Sequence, residues 1–73
     1  MVIFTNNALR KMASLGLSEG SVLNIYNKGD KEKSNIGGYN SIMKFPGYEI
    51  GVYYNQGNDG KWRIISVWKR GRR

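Results

Sequence analysis

The apolar pattern changes period once along this chain, at Gly37-Gly38, and that switch constrains the fold more than any other feature. Before it, apolar residues recur three and four apart; after it, they alternate with polar ones. Helical period first and strand period second imply an α+β domain, with two N-terminal helices covering one face of an antiparallel sheet. Thr5 can cap a helix over residues 6–15, in which Ala8, Leu9, Met12 and Ala13 share a face and Gly16 supplies a left-handed stop. Ser18 can cap a second helix over residues 18–28, with Glu19 in its first turn, Val22, Leu23, Ile25 and Tyr26 as its buried stripe, and Gly29 at its end. Strands follow over residues 39–45, 48–55 and 61–69, separated by Pro46-Gly47 and by a turn ending in Asp59-Gly60. Residues 28–34 form a polar connection. The pattern leaves open whether residues 31–36 add an edge strand, so a sheet of three or four antiparallel strands is expected.

Seventy-three residues hold a single domain with one core. A chain this short buries only about 60% of the surface it exposes when unfolded, so stability is modest and a partner is expected to add to it. Cysteine and histidine are both absent, which removes disulfides, thiolate and imidazole metal sites, and histidine bases. No cofactor or metal is expected. The net charge is +7, and five of those seven charges fall in residues 37–73, which carry seven basic and two acidic side chains. The tail, residues 69–73, concentrates Lys69, Arg70, Arg72 and Arg73. A field of this sign draws nucleic acid, anionic membrane or an acidic protein. The longest apolar run, residues 1–4, is far shorter than the ~20 residues of a spanning helix and too short for a signal peptide, so no membrane role and a cytoplasmic location are expected.

Strand parity sharpens the reading, because successive side chains point to opposite faces. A corner at Pro46-Gly47 that sets Phe45 opposite Tyr48 also sets Met43 opposite Ile50, Ser41 opposite Val52 and Tyr39 opposite Tyr54. A corner at Asp59-Gly60 then sets Val52 opposite Val67 and Tyr54 opposite Ile65. Met43, Ile50, Val52, Tyr54, Ile65 and Val67 form the face the helices should cover. The other face receives Asn40, Ile42 and Lys44, then Glu49, Gly51, Tyr53 and Asn55, then Trp62, Ile64, Ser66, Trp68 and Arg70. In this register Glu49 lies between Lys44 and Arg70.

That row admits two readings. In one, Glu49 takes the proton from a ribose 2′-hydroxyl while Arg70 and Lys44 stabilise charge on the phosphate, without metal. In the other it is a cross-strand salt-bridge ladder worth about 1 kcal/mol or less per pair. Flanking cations favour the charged form of a carboxylate, which opposes its use as a base. Trp68 and Tyr53 offer stacking surfaces beside Asn40, and Lys69, Arg72 and Arg73 can meet phosphates, which is how single-stranded nucleic acid is often held. Trp62 is better read as covering the sheet or an interface.

The segments "FTNNALRKMASLGLSEGSVLNIY", "KFPGYEIGVYY" and "WRIISVWKR", in that order, resemble a small uncharacterised bacterial domain family. It lies in the RelE/ParE-like toxin superfamily, which also takes in barnase-like and colicin-like nucleases. The resemblance implies two helices against a sheet of about four strands, RNA approached from the open face, free or on the ribosome, and an acidic antitoxin-type protein as partner. Within it, Arg70 matches an arginine that RelE-like ribonucleases place at the end of their last strand, and Lys44 matches a basic position on an earlier strand. This chain has Asn40, Ile42 and Glu49 where those enzymes carry further basic residues, and Asn7 where the family frequently has histidine. The implied function is a toxin-like endoribonuclease centred on Glu49, Arg70 and Lys44, a gyrase-directed ParE-like role, or a non-catalytic nucleic-acid-binding or protein-interaction module of the same fold.

Overall fold

The computed structural model describes residues 2–71. Each helix starts where a hydroxyl replaces a missing backbone partner. Thr5 Oγ1 accepts the Ala8 N–H at 3.2 Å and opens α1 (Asn6–Leu15), which Gly16 ends at a φ of 69°. Ser18 Oγ accepts the Ser21 N–H at 3.1 Å and opens α2 (Glu19–Lys28). Ala8 and Met12 of α1, and Val22 and Ile25 of α2, are buried, whereas Leu9 and Ala13, expected on the same stripe, are exposed. The apolar stripe of α1 is therefore one residue wide per turn.

Five strands form one sheet in the order β1-β5-β4-β3-β2: β1 (Ile3–Phe4), β2 (Asp30–Lys33), β3 (Tyr39–Phe45), β4 (Tyr48–Gln56) and β5 (Trp62–Gly71). The sheet is mixed, because β1 runs parallel to β5 while the other pairs are antiparallel. This corrects the wholly antiparallel sheet of three or four strands expected from the pattern. A two-residue strand carries no readable period, and β2 is fully exposed and reads Asp-Lys-Glu-Lys, a charged edge without an apolar face.

The first hairpin has the expected register throughout, from Phe45↔Tyr48 to Tyr39↔Tyr54. Gly47 turns with a φ of 82° behind Pro46, the arrangement of a type II turn, so the proline adds no residue to the ladder. The second hairpin follows the expected register from Glu49↔Arg70 to Tyr53↔Ser66 and then shifts, so that Tyr54 faces Ile64 instead of Ile65. Ile65 is the extra residue of a β-bulge. Beyond it the faces exchange: Ile64 is fully buried in the core, and Trp62 joins the helix side beside Tyr39 and Tyr54. Strand parity without the bulge puts both on the opposite face.

The bulge is held by the start of α1. Thr5 Oγ1 donates to the carbonyls of Ile64 (3.0 Å) and Ile65 (3.1 Å), and Asn7 Nδ2 donates to that of Ile65 at 2.9 Å. The Thr5 N–H also donates to the Ile64 carbonyl. One residue thus caps a helix and absorbs carbonyls that the bulge removes from the ladder.

The other helix is tied to the sheet at its C-terminus. Ser41, fully buried on β3, donates to the Ile25 carbonyl at 2.5 Å, and Lys31 Nζ donates to the Tyr26 carbonyl at 2.6 Å and to Ser41 Oγ at 3.0 Å. A cation at this helix end also meets the negative end of its dipole. Gly29 fits because a Cβ there would lie 2.6 Å from Ser41 Oγ and 2.7 Å from the Ile25 carbonyl. Between helices and sheet, Val22, Val52, Ile64 and Val67 are fully buried, each contributing about 1.5–3 kcal/mol of hydrophobic stabilisation. Tyr54 extends this core into an aromatic cluster with Tyr26, Tyr39 and Trp62, and burial pushes the Tyr26 and Tyr54 phenols above their ordinary value. Among the described residues no helix is long and apolar enough to cross a membrane.

Candidate nucleic-acid interface

The helices leave one sheet face uncovered, and the ladder register assigns its members. They are Asp30 and Glu32 of β2, Asn40, Ile42 and Lys44 of β3, Glu49, Gly51, Tyr53 and Asn55 of β4, and Arg63, Ser66, Trp68 and Arg70 of β5. Lys44, Glu49 and Arg70 form one cross-strand row, as the parity argument requires.

Within that row the bonding is unequal. Arg70 Nη2 donates to Glu49 Oε2 at 2.6 Å, and Glu49 is 7% exposed, whereas the Arg70 side chain is 66% exposed. Lys44 is exposed and, among the described residues, forms no ion pair. The carboxylate therefore sits low on the sheet with the guanidinium across it. The open side of the pair is cationic.

Trp68 is fixed by its neighbours. Its indole lies across Gly51 so closely that a Cβ on Gly51 would overlap the ring. Its Nε1–H donates to Asn40 Oδ1 at 3.1 Å, two strands away. Arg70 stands with its guanidinium carbon 5.2 Å from the ring centroid, within cation–π range. Ile42, in the same cross-strand row as Gly51 and Trp68, is only 8% exposed although no helix covers it. Indole, amide and guanidinium thus form one connected surface over β3, β4 and β5.

The remaining candidates divide. Tyr53 lies on this face, but its hydroxyl donates to the Gly37 carbonyl at 2.6 Å and so anchors the loop between β2 and β3. Lys69 points to the helix side, where Nζ lies 4.6 Å from the Tyr48 ring centroid. Arg72 and Arg73 lie outside the described residues. Sequence reasoning missed the part played by Gly51, for which a signal existed: a glycine in mid-strand, flanked in register by a large aromatic, marks a close approach.

Among the described residues the charge on this face is balanced. Lys44, Arg63 and Arg70 stand against Asp30, Glu32 and Glu49. Arg63 is further committed to Asp59 in a two-pronged contact of 2.8 and 3.1 Å, which with the Lys61 N–H holds the Asp59 carboxyl down at about 2. Among the described residues of this face, the cations other than Arg63 are Lys44 and Arg70, which flank Glu49 in one cross-strand row. No family model, curated protein or solved structure matches this chain.

Proposed function

We propose that this chain binds single-stranded RNA on its open sheet face without cleaving it, with the cytoplasm as its setting. One observation carries the reading: the Trp68 indole is seated on Gly51, tied through Nε1 to Asn40 and flanked by the Arg70 guanidinium that Glu49 holds in place. A rigid ring beside a fixed cation stacks a base and meets the adjoining phosphate at little entropic cost. Glu49 serves as a positioning residue for Arg70. A general base must reach the proton it removes, and this carboxylate is buried and already accepts the guanidinium. Lys44 supplies the second phosphate contact. The relation to RelE/ParE-like toxins belongs to this proposal and rests on the sequence motifs.

With Arg70 and Lys44 as the two phosphate ligands, log affinity should fall with log salt at a slope of about −1.4, from ~0.7 counterions released per contact on a single strand. The test is fluorescence anisotropy of a labelled single-stranded RNA, with the RNA recovered and sized afterwards. Trp68→Ala should weaken binding by roughly 5- to 150-fold, the loss of about 1–3 kcal/mol of stacking. Arg70→Gln should flatten the salt slope while leaving the fold intact. RNA fragments that appear with the parent and vanish with Glu49→Gln would overturn this reading in favour of cleavage. Retention of an acidic protein in place of RNA would favour an antitoxin-type interaction module.

A further inference from the structure

One side chain on the open face has its two polar ends sorted by its neighbour. The Trp68 indole N–H is a donor only, so the Asn40 amide must turn its carbonyl to it, and Oδ1 accepts that N–H at 3.1 Å. The NH2 end is thereby directed away from the indole. Among the described residues Nδ2 makes no hydrogen bond, yet no buried side-chain nitrogen or oxygen lacks a partner, so this donor is open to solvent. Asn40 itself is half-buried, and the indole that orients it is seated on Gly51. An oriented donor thus stands at the rim of the ring, fixed by the same bond that fixes the ring.

A carboxylate stands beside it. Glu32 of β2 lies directly opposite Asn40 in the ladder, and directly opposite residues share a face with Cβ atoms about 5 Å apart. Among the described residues the Glu32 side chain is exposed and makes neither a hydrogen bond nor an ion pair. Across the sheet from β5 to β2 the order is therefore ring, amide donor, carboxylate acceptor. Lys44 and Arg70 lie two rows along the same face, so phosphate contacts and base-edge contacts are separated along the strands.

We propose that this arrangement selects guanine, the base stacked on Trp68, its O6 accepting from Asn40 Nδ2 and its N1–H and N2–H donating to the Glu32 carboxylate. Of the four RNA bases guanine alone presents a keto oxygen beside two adjacent N–H donors. Uracil has a single N–H between two oxygens, and its second oxygen would face the carboxylate. Adenine loses its usual asparagine reader, because that pairing needs the amide carbonyl to accept from N6–H while the NH2 donates to N7, and Oδ1 is committed to the indole. A carboxylate on a face that meets RNA repels phosphate; what it attracts is base N–H, in charge-assisted bonds. The preference presupposes RNA on the open face and adds which base lies over Trp68.

Oligouridines carrying one central guanosine, inosine or adenosine, compared by fluorescence anisotropy, provide the test. The guanosine RNA should bind the parent at least about fivefold more tightly than the adenosine RNA, the scale of one well-made base-edge pair. Inosine, which lacks the 2-amino group, should fall between them. Asn40→Asp keeps an oxygen for the Trp68 N–H and removes the donor, while Glu32→Gln keeps the shape and removes the charge. Both should bring the guanosine-to-adenosine ratio towards one, whatever they do to overall affinity. A purely electrostatic role for Glu32 predicts a different pattern, a gain for all three RNAs with the ratio unchanged. Equal binding of guanosine and adenosine RNAs by the parent, inosine equal to guanosine, or an unchanged ratio in either variant overturns the assignment. If no RNA moves the Trp68 indole resonance, the open-face reading and the guanine assignment fail together; a saturable Trp68 shift with equal affinity for all three RNAs sinks the guanine assignment alone.

Discussion

Gly51→Ala is a small change on which the architecture of the open face makes a large demand. The added methyl would overlap the Trp68 ring, and the backbone of a central strand cannot retreat, so the indole must lift. Lifting it breaks the Nε1–Asn40 hydrogen bond, worth about 1 kcal/mol net. It also uncovers Ile42, which is buried on a face with no helix over it. Overpacking strain adds roughly 1–3 kcal/mol, and the better strand propensity of alanine returns about 0.5–1 kcal/mol. The net expectation is a loss of about 1–3 kcal/mol, which for a domain of this size lowers the melting temperature by roughly 5–20 °C. Circular-dichroism melts of four proteins measure it: the parent, Gly51→Ala, Trp68→Ala and the double variant. With the ring removed the methyl has room, so Gly51→Ala should be neutral or stabilising in the Trp68→Ala background, a coupling of 1 kcal/mol or more on the scale of about 0.5–3 kcal/mol found for contacting residues. Additive effects, or a Gly51→Ala protein as stable as the parent, would refute the seating of Trp68 on Gly51.

Three further predictions concern the rest of the scaffold. Thr5→Val removes a helix cap and the donor to the Ile64 and Ile65 carbonyls together; urea denaturation should show a loss of about 1–3 kcal/mol, and a loss under 0.5 kcal/mol would deny Thr5 its role at the bulge. Gly29→Ala presses a methyl onto Ser41 Oγ and the Ile25 carbonyl, so its urea midpoint should fall clearly below that of Gly16→Ala relative to what a left-handed φ alone costs, about 1 kcal/mol. Asp59 titrates at about 2 in the folded chain against an ordinary 3.8. Its contribution is therefore present above the ordinary value and is lost as pH falls through about 2. The stability of the parent should decline over that interval more steeply than that of Asp59→Asn, and parallel acid profiles would contradict the pairing with Arg63.

The legible part of this fold is its local part. Thr5 and Ser18 mark helix starts by their hydroxyls, and Gly16 and Gly29 mark helix ends by lacking a side chain, effects that act within a few residues, and the structure places them there. The hairpin around Pro46-Gly47 is equally local, and its register follows pair by pair. The second hairpin departs from the parity reading from its turn as far as Tyr54, and the bulge at Ile65 that ends the departure is held by Thr5 and Asn7, about sixty positions away in the chain. No window of sequence around Ile65 contains that cause, and the same bulge carried Trp62 and Ile64 to the core side. The pairing of Glu49 with Arg70 follows the parity reading because two departures cancel: the reversal sets Gly57, not Asn58, opposite Lys61, and the bulge at Ile65 restores the expected register beyond it. Their unequal burial does not follow from it, since it depends on Trp68 lying down across Gly51.

The most direct measurement is a chemical-shift map of the parent chain titrated with a single-stranded RNA at low salt. Saturable shifts are expected at the Trp68 indole N–H, the Asn40 side-chain amide and the backbone around Lys44, Gly51 and Arg70, with the RNA intact at the end. Shifts confined to the helix side, or shortened RNA recovered from the sample, would contradict binding without cleavage at the open face.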